Sequence, residues 1–520
     1  MALNYKLYLC ASQRQIIYCF KKNTMLKTAI AKFLSKIIHH RNQKWALNPE
    51  IAQKNVLEKL VKQAQNTVFG TEHNFANIKT YEDFKKNVPI ADYETLRPYI
   101  ERALAGEPNV LWRKKPIYFA KTSGTTSGTK YIPITNDSIG NHTSGARDAF
   151  LAYIYEKKNA DFLKGKIVYL SGSPVLETQN GIHIGRLSGI SNHHIPSYLR
   201  RNQAPTHQTN CIADWEQKID AITTETMNRN VTVIGGIPPW AQMYFDKLSA
   251  MKDGAPIAKI YKNLSLFVFG GVNFEPYRNK IEQSLGKKID SIELFPASEG
   301  FFAYQNQQND HGLLLRMDAG IFYEFIEASA FFEPNPKRIC IDDVQLNTNY
   351  VLILNTNAGL WGYNIGDTIK FVGKNPYKIR VTGRIKHFIS AFGEHVIGEE
   401  VDNAMRIVTQ KHSVEVVEFH VAPQVSPAAG LPYHEWFIEF GDKKPAKITD
   451  FAADLDAAMT NQNIYYKDLV VGNVLKPLQI TEVKPKTFIN YMKSEGKLGG
   501  QNKLPRLADN RDLADKLALN

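Results

Sequence analysis

The stretch KTSGTTSGTKYIP, residues 121–133, interrupts a 520-residue chain in which 43% of the residues are hydrophobic. Between Lys121 and Lys130 it contains only four threonines, two serines and two glycines. The strand-like run IYFA precedes these small residues, and the apolar run YIPIT follows them. Glycine-rich turns of this kind hold phosphates through backbone N–H groups, hydroxyl donors and a lysine. The stretch therefore predicts a phosphate-binding loop after a strand, with an ordinary surface loop as the alternative.

The spacing within this loop excludes the Walker type of phosphate loop. That pattern requires a glycine, four residues, and then Gly-Lys-Ser or Gly-Lys-Thr. Counted from Gly124, the residue before Lys130 is Thr129 instead of glycine, and Tyr131 follows the lysine. The order Thr-Ser-Gly-Thr-Thr-Ser-Gly-x-Lys instead resembles the phosphate loop of the acyl-adenylate-forming superfamily.

The order of the remaining segments predicts an α/β fold. Residues 26–106 have a helical spacing of apolar and charged residues, and Asn48 followed by Pro49 is typical of a helix start. Further along, short β-rich runs such as GKIVYLSG and VTVIGG alternate with helical segments, which indicates a mostly parallel sheet covered by helices. Residues 313–372 are dominated by strands, and after Gly383 a small α+β domain of roughly 135 residues follows.

The distribution of charge and the cysteine content favour some classes of protein over others. The formal net charge is +13, but nine of the Lys and Arg residues fall in residues 1–49, which contain no acidic residue. A basic tail of this kind contacts a membrane or nucleic acid in some proteins and is a solvated helix face in others, and we favour the solvated face. No apolar run approaches the roughly 20 residues of a membrane-spanning helix. The four cysteines form no C-x-x-C pair, which indicates a reducing, cytoplasmic location without a disulfide framework or a cysteine zinc site.

A second motif lies in FVFGGVNFEPYRNKIEQSLGKKIDSIELFPASEG, which ends at residue 300. Gly270 and Gly271 follow a strand-like run, a helical segment and a further strand come next, and Glu299 follows Ala297 and Ser298. In the superfamily that this arrangement resembles, the Gly-Gly turn lies against adenine, and the Glu holds Mg²⁺ on the nucleotide phosphates. A single carboxylate is chemically sufficient for phosphate-bound Mg²⁺, which keeps several water ligands.

A third motif lies in GLWGYNIGDTIKF, where Asp367 follows a glycine. An Asp after Gly at a strand end can accept hydrogen bonds from both ribose hydroxyls. By the same resemblance, Arg384 in the segment GRIK also reaches the ribose, and Lys386 sits at an interdomain hinge. Two positions depart from the superfamily pattern: Asn364 stands at the usual Arg, and Pro296 stands where Gly or Ala is more typical.

The two ends of the chain resemble one branch of this superfamily. The stretch QNTVFGTEHNFANIKTYEDFKKNVPIADYETLRPYIERALAGEPNVLW and the ending LGGQNKLPRLADNRDLADKL are similar to the plant auxin- and jasmonate-conjugating acyl acid amido synthetases. We identify the chain as a bacterial member of that family. Its ending keeps the family pattern Gln-x-Lys-x-Pro-Arg, which makes Lys503 the lysine expected to approach the α-phosphate during adenylation.

The resemblance implies a ligase that works in two steps. The enzyme would use ATP and Mg²⁺ to activate a carboxylic acid as an acyl-adenylate, and would then transfer the acyl group to an amine, which we expect to be an amino acid. Catalytic roles fall to Lys130, Lys503 and Glu299, and Glu299 also binds the metal. The residues expected to contact the nucleotide are Ser123, Gly124, Thr125, Thr126, Ser127, Gly128, Gly270, Gly271, Ala297, Ser298, Asp367 and Arg384.

The resemblance also implies a division into domains and a set of partners. We expect residues 1–24 to be a non-native or disordered extension ahead of a start at Met25, residues 25–383 to form a large ATP- and acyl-acid-binding domain, and residues 384–520 to form a small mobile domain. The expected partners are a small carboxylic acid and an amine, without nucleic acid or membrane, and the protein is expected to be a monomer or a weak dimer. Two alternatives stay open: an acyl–coenzyme A ligase, which shares the first step, and a non-catalytic nucleotide-binding protein.

The acyl pocket is expected to involve the segment at residues 171–201, because this segment lies between the phosphate loop and the adenine turn in the sequence. Tyr198, Trp240 and Phe301 are candidate pocket aromatics. The alternative for each of the three is an ordinary core position.

Overall fold

The computed structural model describes residues 24–123, 129–195, 200–271, 274–310, 312–385, 388–389, 394, 396–472, 474–498 and 504–518. The extension expected at residues 1–24 therefore falls outside the described residues except for its last position. Helices precede any strand, in agreement with the predicted helical region. They are α1 (Thr24–Ala46), α2 (Pro49–Ala64), α3 (Val68–Glu72), α4 (Tyr81–Asn87) and α5 (Tyr93–Leu104).

Helix α2 begins at Pro49 as the sequence predicts, but its cap differs from the expected one. Asn48 occupies the N-cap position, yet its side chain accepts no hydrogen bond from the first turn of the helix. Its Nδ2 instead donates to the carbonyl oxygen of Lys44 at 3.0 Å. Pro49 removes one of the unpaired N–H groups of the first turn, and Asn48 ties the end of α1 to α2.

A small four-stranded sheet carries the predicted phosphate loop. Its strands are β1 (Tyr118–Ser123), β2 (Thr129–Ile134), β4 (Glu177–Gln179) and β5 (Ile182–Gly185), in the order β2-β1-β5-β4. Strands β1 and β2 pair antiparallel, with Ser123 opposite Thr129. The loop at residues 124–128 joins these two strands and lies outside the described residues.

The main sheet contains eleven strands. They are β3 (Lys166–Tyr169), β6 (Gln203–Ala204), β7 (Val231–Gly235), β8 (Leu266–Gly270), β9 (Asp290–Ala297), β10 (Gly300–Gln305), β11 (Leu313–Leu315), β12 (Ile321–Glu327), β13 (Asn349–Thr356), β14 (Tyr363–Lys374) and β15 (Tyr377–Arg384). Their order across the sheet is β12-β13-β14-β15-β11-β10-β9-β8-β7-β3-β6.

This sheet is parallel in one half and antiparallel in the other. Strands β9, β8, β7, β3 and β6 pair in parallel, whereas the pairs from β9 through β10, β11, β15, β14 and β13 to β12 are antiparallel. Parallel neighbours need long crossovers, which helices provide in the first half, while short turns join antiparallel neighbours such as β14 and β15. The expected parallel arrangement is therefore correct only for the first half of the sheet.

Helices cover both faces of the parallel half. Val233 and Ile234 are neighbours on β7 but belong to separate hydrophobic clusters, as the alternation of side chains along a strand requires.

No helix of the described residues combines the length and the apolar character needed to cross a membrane. The α-helices of this region are α6 (Ile139–Lys157), α7 (Leu187–His193), α8 (His207–Asn210), α9 (Trp215–Thr226), α10 (Pro238–Ala250), α11 (Ile257–Ile260) and α12 (Glu275–Leu285), and short 3₁₀ helices lie at Phe75–Asn77, Asp161–Lys164, Ala328–Ala330 and Ile341–Asp343.

The C-terminal part has its own core, which is built around Trp436 and Phe451, both fully buried. Its strands β18, β19 and β20 form a three-stranded sheet, and β16 pairs with β17. The α/β fold class with a small α+β domain is therefore confirmed. The elements are β16 (Phe388–Ile389), β17 (Val396–Ile397), α13 (Gly398–His412), β18 (Val416–Gln424), β19 (Tyr433–Phe440), α14 (Ile448–Gln462), α15 (Ile464–Val471), β20 (Gln479–Glu482), α16 (Thr487–Ser494) and α17 (Asp512–Ala518).

One cluster holds the C-terminal part against helix α12. The hydroxyl of Tyr277 donates to Glu418 at 3.0 Å, and Arg506 pairs with the same carboxylate at 3.1 Å. The Arg506 guanidinium also lies over the rings of Tyr277 and Phe419, at 5.0 and 4.4 Å from their centroids. Since the Glu418 and Arg506 side chains are only 14% and 17% exposed, this contact is largely shielded from solvent.

Replacement of Arg506 by alanine should weaken this docking. The change leaves the Glu418 carboxylate without its cation in a shielded contact and removes both ring contacts, at a cost on the order of 1–3 kcal/mol. Small-angle X-ray scattering should then show a larger radius of gyration. Lys493→Ala is the matched control, because its 2.9 Å pair with Glu216 is half-exposed and contributes about 0.5 kcal/mol or less. Equal scattering from both variants would contradict the role assigned to Arg506.

Candidate functional site

A cavity of about 2320 Å³ opens between the main sheet, helix α6 and the C-terminal part. It is lined by residues that lie far apart in the sequence, among them Thr122 of strand β1. Seven of the residues expected to bind the nucleotide line it, namely Gly270, Gly271, Ala297, Ser298, Glu299, Asp367 and Arg384. The candidate pocket aromatics Trp240 and Phe301 line it as well.

Asp367 and Arg384 face each other across strands β14 and β15. Their positions are paired in the sheet register, and the Arg384 Nε lies 3.0 Å from the Asp367 Oδ1. The guanidinium also donates to the carbonyl oxygen of Ile365 at 2.9 Å. Asp367 does not stand at a strand end as the sequence suggested, because β14 continues to Lys374. The two strands thus present a carboxylate and a cation together at the cavity.

Glu299 lies in the turn between β9 and β10, where it is partly buried. Burial disfavours its charged form, and the negative charge of Asp367 adds to that effect. The positive charges of Arg384 and Lys130 act in the opposite direction, and the net result is a Glu299 pKa raised to about 7. The four charged side chains therefore share one electrostatic neighbourhood, although they come from three separate parts of the chain.

Lys130 is positioned by an aromatic residue that sequence analysis missed. Its Nζ lies 5.3 Å from the ring centroid of Tyr93, at the start of helix α5. The Tyr93 hydroxyl in turn accepts a hydrogen bond from the backbone N–H of Tyr131 at 2.9 Å. The Asp92 side chain caps α5 by accepting from Thr95 N–H at 2.9 Å. No sequence pattern pointed to Tyr93, because the contact depends on the packing of α5 against β2.

Glycine at position 362 allows the third motif to approach the segment before α5. Gly362 has a φ of +55°, and a Cβ at this position would lie 2.1 Å from the carbonyl oxygen of Pro89. The neighbouring Ala91 exchanges backbone hydrogen bonds with Gly362 and Asn364. The Asn364 Oδ1 accepts from the Gly366 N–H at 2.8 Å. Asn364, which stands at the position where Arg is usual, thus shapes the turn that leads to Asp367.

The Gly-Gly turn lines the cavity, and its first glycine is required by the packing of β8 against β9. A Cβ at Gly270 would lie 2.3 Å from the carbonyl oxygen of Leu294, and Gly271 has a φ of +83°. Any larger side chain at Gly270 would force β8 away from β9. The turn, the Asp367–Arg384 pair and Glu299 therefore lie along one cavity, where they bring together backbone without side chains, a charged pair and a second carboxylate.

Several residues predicted from the sequence lie outside the described residues. For Ser123 the structure describes the backbone, which pairs with Thr129. Among the described residues there is no group of three or more His, Cys, Asp or Glu side chains arranged to hold a metal ion. Glu299 alone nevertheless suits Mg²⁺ that phosphates also coordinate. The predicted residues outside the described set are Gly124, Thr125, Thr126, Ser127, Gly128, Tyr198, Lys386 and Lys503.

Comparison with known protein families gives three consecutive matches. The chain matches the GH3 family N-terminal domain over residues 38–210, the GH3 family central domain over residues 314–384 and the GH3 family C-terminal domain over residues 399–512. All three ranges belong to one family and follow its order, and together they cover more than half of the chain.

Individual relatives support the same family assignment. Indole-3-acetic acid-amido synthetase GH3.15 of Arabidopsis thaliana is 22% identical over 84% of this chain and 87% of its own length. Jasmonoyl–L-amino acid synthetase JAR4 of Nicotiana attenuata is 18% identical over 62% of this chain and 66% of its own. The solved structure of the GH3.15 acyl acid amido synthetase has a TM-score of 0.77 at 17% identity, and covers 94% of this chain and 96% of that one. A 2-hydroxyisobutyryl-CoA ligase has a TM-score of 0.57 at 15% identity, with 90% and 91% covered, so the fold is shared more widely.

The raised pKa of Glu299 predicts a pH-dependent effect on stability. Its carboxyl has an ordinary pKa of 4.5 and a folded value of about 7, so the folded state binds the proton more tightly. Stability from this group is therefore highest below pH 4.5 and is lost as the pH rises to about 7. Glu299→Gln should stabilise the protein by on the order of 1–3 kcal/mol at pH 8 and should change little at pH 4.

Thermal unfolding at both pH values tests this expectation. Glu58→Gln, at an exposed position of helix α2, is the matched control and should leave both midpoints unchanged. A Glu299→Gln variant that is less stable than the parent at pH 8, or shifted equally at both pH values, would show that burial does not oppose the charge of Glu299.

Proposed function

This chain belongs to the GH3 family, and from that membership we propose that it is an acyl acid amido synthetase. It activates a carboxylic acid with ATP as an acyl-adenylate and transfers the acyl group to an amine. We propose an amino acid as the acceptor, since the relatives named above include a jasmonoyl–amino acid synthetase. The protein is therefore a ligase of the AMP-forming type.

The observation that carries this proposal is the convergence at one end of the cavity. Glu299, Asp367 and Arg384 line the same cavity as the Gly-Gly turn, and Lys130 adds its charge to theirs. We propose that the turn at Gly270 lies against adenine and that Asp367 and Arg384 hold the ribose. The described geometry supports a nucleotide at this end and leaves the remainder of the cavity for the acid.

Step one joins the substrate carboxylate to the α-phosphorus of ATP and breaks the bond to pyrophosphate. Two anions must meet, so the site has to supply fixed positive charge and hydrogen-bond donors. Lys130 provides a cation held against Tyr93, and the backbone of the 124–128 loop is proposed to bind the phosphates. Mg²⁺ bound at Glu299 would neutralise phosphate charge. Lys503 stays a prediction as the lysine that approaches the α-phosphate.

Step two forms a bond between the amine nitrogen and the activated carbonyl carbon, and AMP leaves with the electron pair of the broken C–O bond. The nitrogen loses a proton in the same step. We propose that the domain at residues 384–520 turns about Lys386 between the two steps and so changes the lining of the cavity. The contact of Arg506 with Tyr277 would hold one of the two orientations.

The proposed setting of the reaction follows from the sequence. We place the enzyme in the cytoplasm, where its cysteines stay reduced, and the two described cysteines, Cys211 and Cys340, are both free thiols. Its proposed partners are small molecules, and we propose a monomer or a weak dimer.

The first step is tested by ATP–pyrophosphate exchange with a panel of aliphatic, aromatic and hydroxylated acids. Glu299→Ala and Asp367→Ala should each lower the exchange rate on the order of 100-fold or more, because each removes a group that positions the nucleotide. Glu58→Ala should retain the parent rate. Full exchange in both site variants, with correctly folded protein, would refute the proposed site.

The acceptor is tested separately by offering mixed amino acids or coenzyme A together with an acid that supports exchange. Mass spectrometry should detect an amide product with one or more amino acids. A thioester of coenzyme A in place of an amide would assign the chain to the ligase alternative.

A further inference from the structure

Helix α1 packs on the rest of the protein with one face and leaves the opposite face exposed. The packed face repeats at intervals of three or four residues, and its buried positions are Ala31, Ser35, Asn42 and Trp45. The Asn42 Nδ2 donates to the hydroxyl of Tyr304, on strand β10, at 3.1 Å. These contacts fix which side of the helix is turned away from the protein.

The side that is turned away carries large apolar side chains. Phe33 is 64% exposed and Ile37 is 48% exposed. The two residues lie one helical turn apart, and the exposed Ala29 precedes Phe33 at the same spacing. A single exposed apolar residue is common on protein surfaces, whereas neighbouring ones on one helix face indicate contact with another apolar body.

Lysines flank these apolar residues. Lys36 lies three residues after Phe33, and Lys44 lies seven residues after Ile37, so both share the exposed side of the helix. Lys32, which is also exposed, lies at the edge of the same side. Together these residues form the outer face of α1: Ala29, Lys32, Phe33, Lys36, Ile37 and Lys44.

The charge of the outer face is not neutralised within the described part of the protein. Helix α1 contains no acidic residue, and the ammonium groups of its three outer lysines form no ion pair with a described carboxylate. Arg41 of the same helix differs, because it pairs with Asp148 of α6 at 2.7 Å. The outer face therefore combines an apolar centre with uncompensated positive charge.

This combination selects among the molecules that could cover the outer face. A second copy of α1 would bring like charges together, and residues 1–23 contain basic but no acidic residues, so neither complements the lysines. A nucleic acid complements the charge, but its phosphate backbone offers no apolar body to Phe33 and Ile37. An anionic lipid surface complements both, since its headgroups attract lysines and its acyl chains accommodate apolar side chains.

We propose that the outer face of helix α1 binds the surface of an anionic membrane, with the helix lying parallel to that surface. Phe33 and Ile37 enter the boundary between the headgroups and the acyl chains, and the outer lysines contact the lipid phosphates. The solvated helix face without a membrane partner, which was expected from the sequence, explains the lysines but not the exposed apolar residues. This inference goes beyond the proposed function and does not depend on it.

Binding in this orientation brings the cavity close to the membrane. Lys27, Ala31 and Leu34 of α1 line the cavity, and they follow one another at intervals of three or four residues. A helix with its side chains is about 10–12 Å across, so the cavity wall formed by α1 would lie within about that distance of the lipid.

The test is co-sedimentation of the full chain with lipid vesicles. The partition coefficient should be on the order of 10-fold or more higher for phosphatidylcholine vesicles with about one third phosphatidylglycerol than for phosphatidylcholine alone. The difference should shrink as salt is added, because salt screens the lysines. Lys32→Gln combined with Lys36→Gln should lower binding to the anionic vesicles on the order of 10-fold. Phe33→Ser combined with Ile37→Ser should lower binding on the order of 10-fold or more at every salt concentration.

Helix α15 offers the matched control. Lys467 and Val471 are exposed on it one turn apart, and Val471 is 73% exposed. Lys467→Gln combined with Val471→Ser therefore removes the same kinds of side chain from another helix, and this variant should bind vesicles like the parent. All variants should keep the thermal midpoint of the parent, because the altered side chains are exposed.

Four results would overturn the proposal. The first is equal binding of the parent to both kinds of vesicle, and the second is parent-like binding by both α1 variants. The third is loss of all vesicle binding in a chain that begins at Met25, which would place the contact in the preceding residues. The fourth is binding of a DNA duplex, but not of vesicles, that the lysine variant loses and the Phe33 and Ile37 variant keeps.

Discussion

The charges at one end of the cavity set what the site can bind. Asp367 is paired with Arg384 at 3.0 Å, so part of the local positive charge is already committed to another carboxylate. Burial then dominates at Glu299, whose carboxyl holds its proton up to about pH 7. A cation that binds at Glu299 is stabilised more strongly here than it would be in water. The reason is that the surroundings are partly desolvated and the other charges are held in place by the protein. A phosphate-bound cation at Glu299 would therefore offset the cost of ionising this carboxyl.

This arrangement depends on backbone contacts between distant segments. The segment before α5 pairs with the start of β14 only because Gly362 lacks a Cβ that would collide with Pro89. That pairing carries Tyr93, on which Lys130 rests, towards the strand that carries Asp367. A single steric requirement thus connects Lys130 of strand β2 to the acidic residues of the main sheet.

The sequence predicted the structure best where the chemistry of the residues and their local spacing indicate the same feature. The α/β fold, the helical region at residues 26–106, the strand end at Gly270 and the family are confirmed, since each follows from residue patterns that local structure obeys. The nucleotide roles of Glu299, Asp367 and Arg384 remain predictions, although the structure brings these residues to one cavity. The antiparallel half of the sheet was missed because alternating apolar runs specify strands without specifying their neighbours. Tyr93 was missed for a related reason: an aromatic ring under a lysine depends on tertiary packing that one sequence does not reveal.

Glu299 and the Asp367–Arg384 pair differ in what they require. The two charges of the pair lie 3.0 Å apart and stabilise each other. Glu299 is an acid whose ionisation is opposed by burial, and it is stabilised by an added cation. Glu299 therefore makes the fold less stable at neutral pH than an uncharged replacement would, which is typical of residues retained for binding.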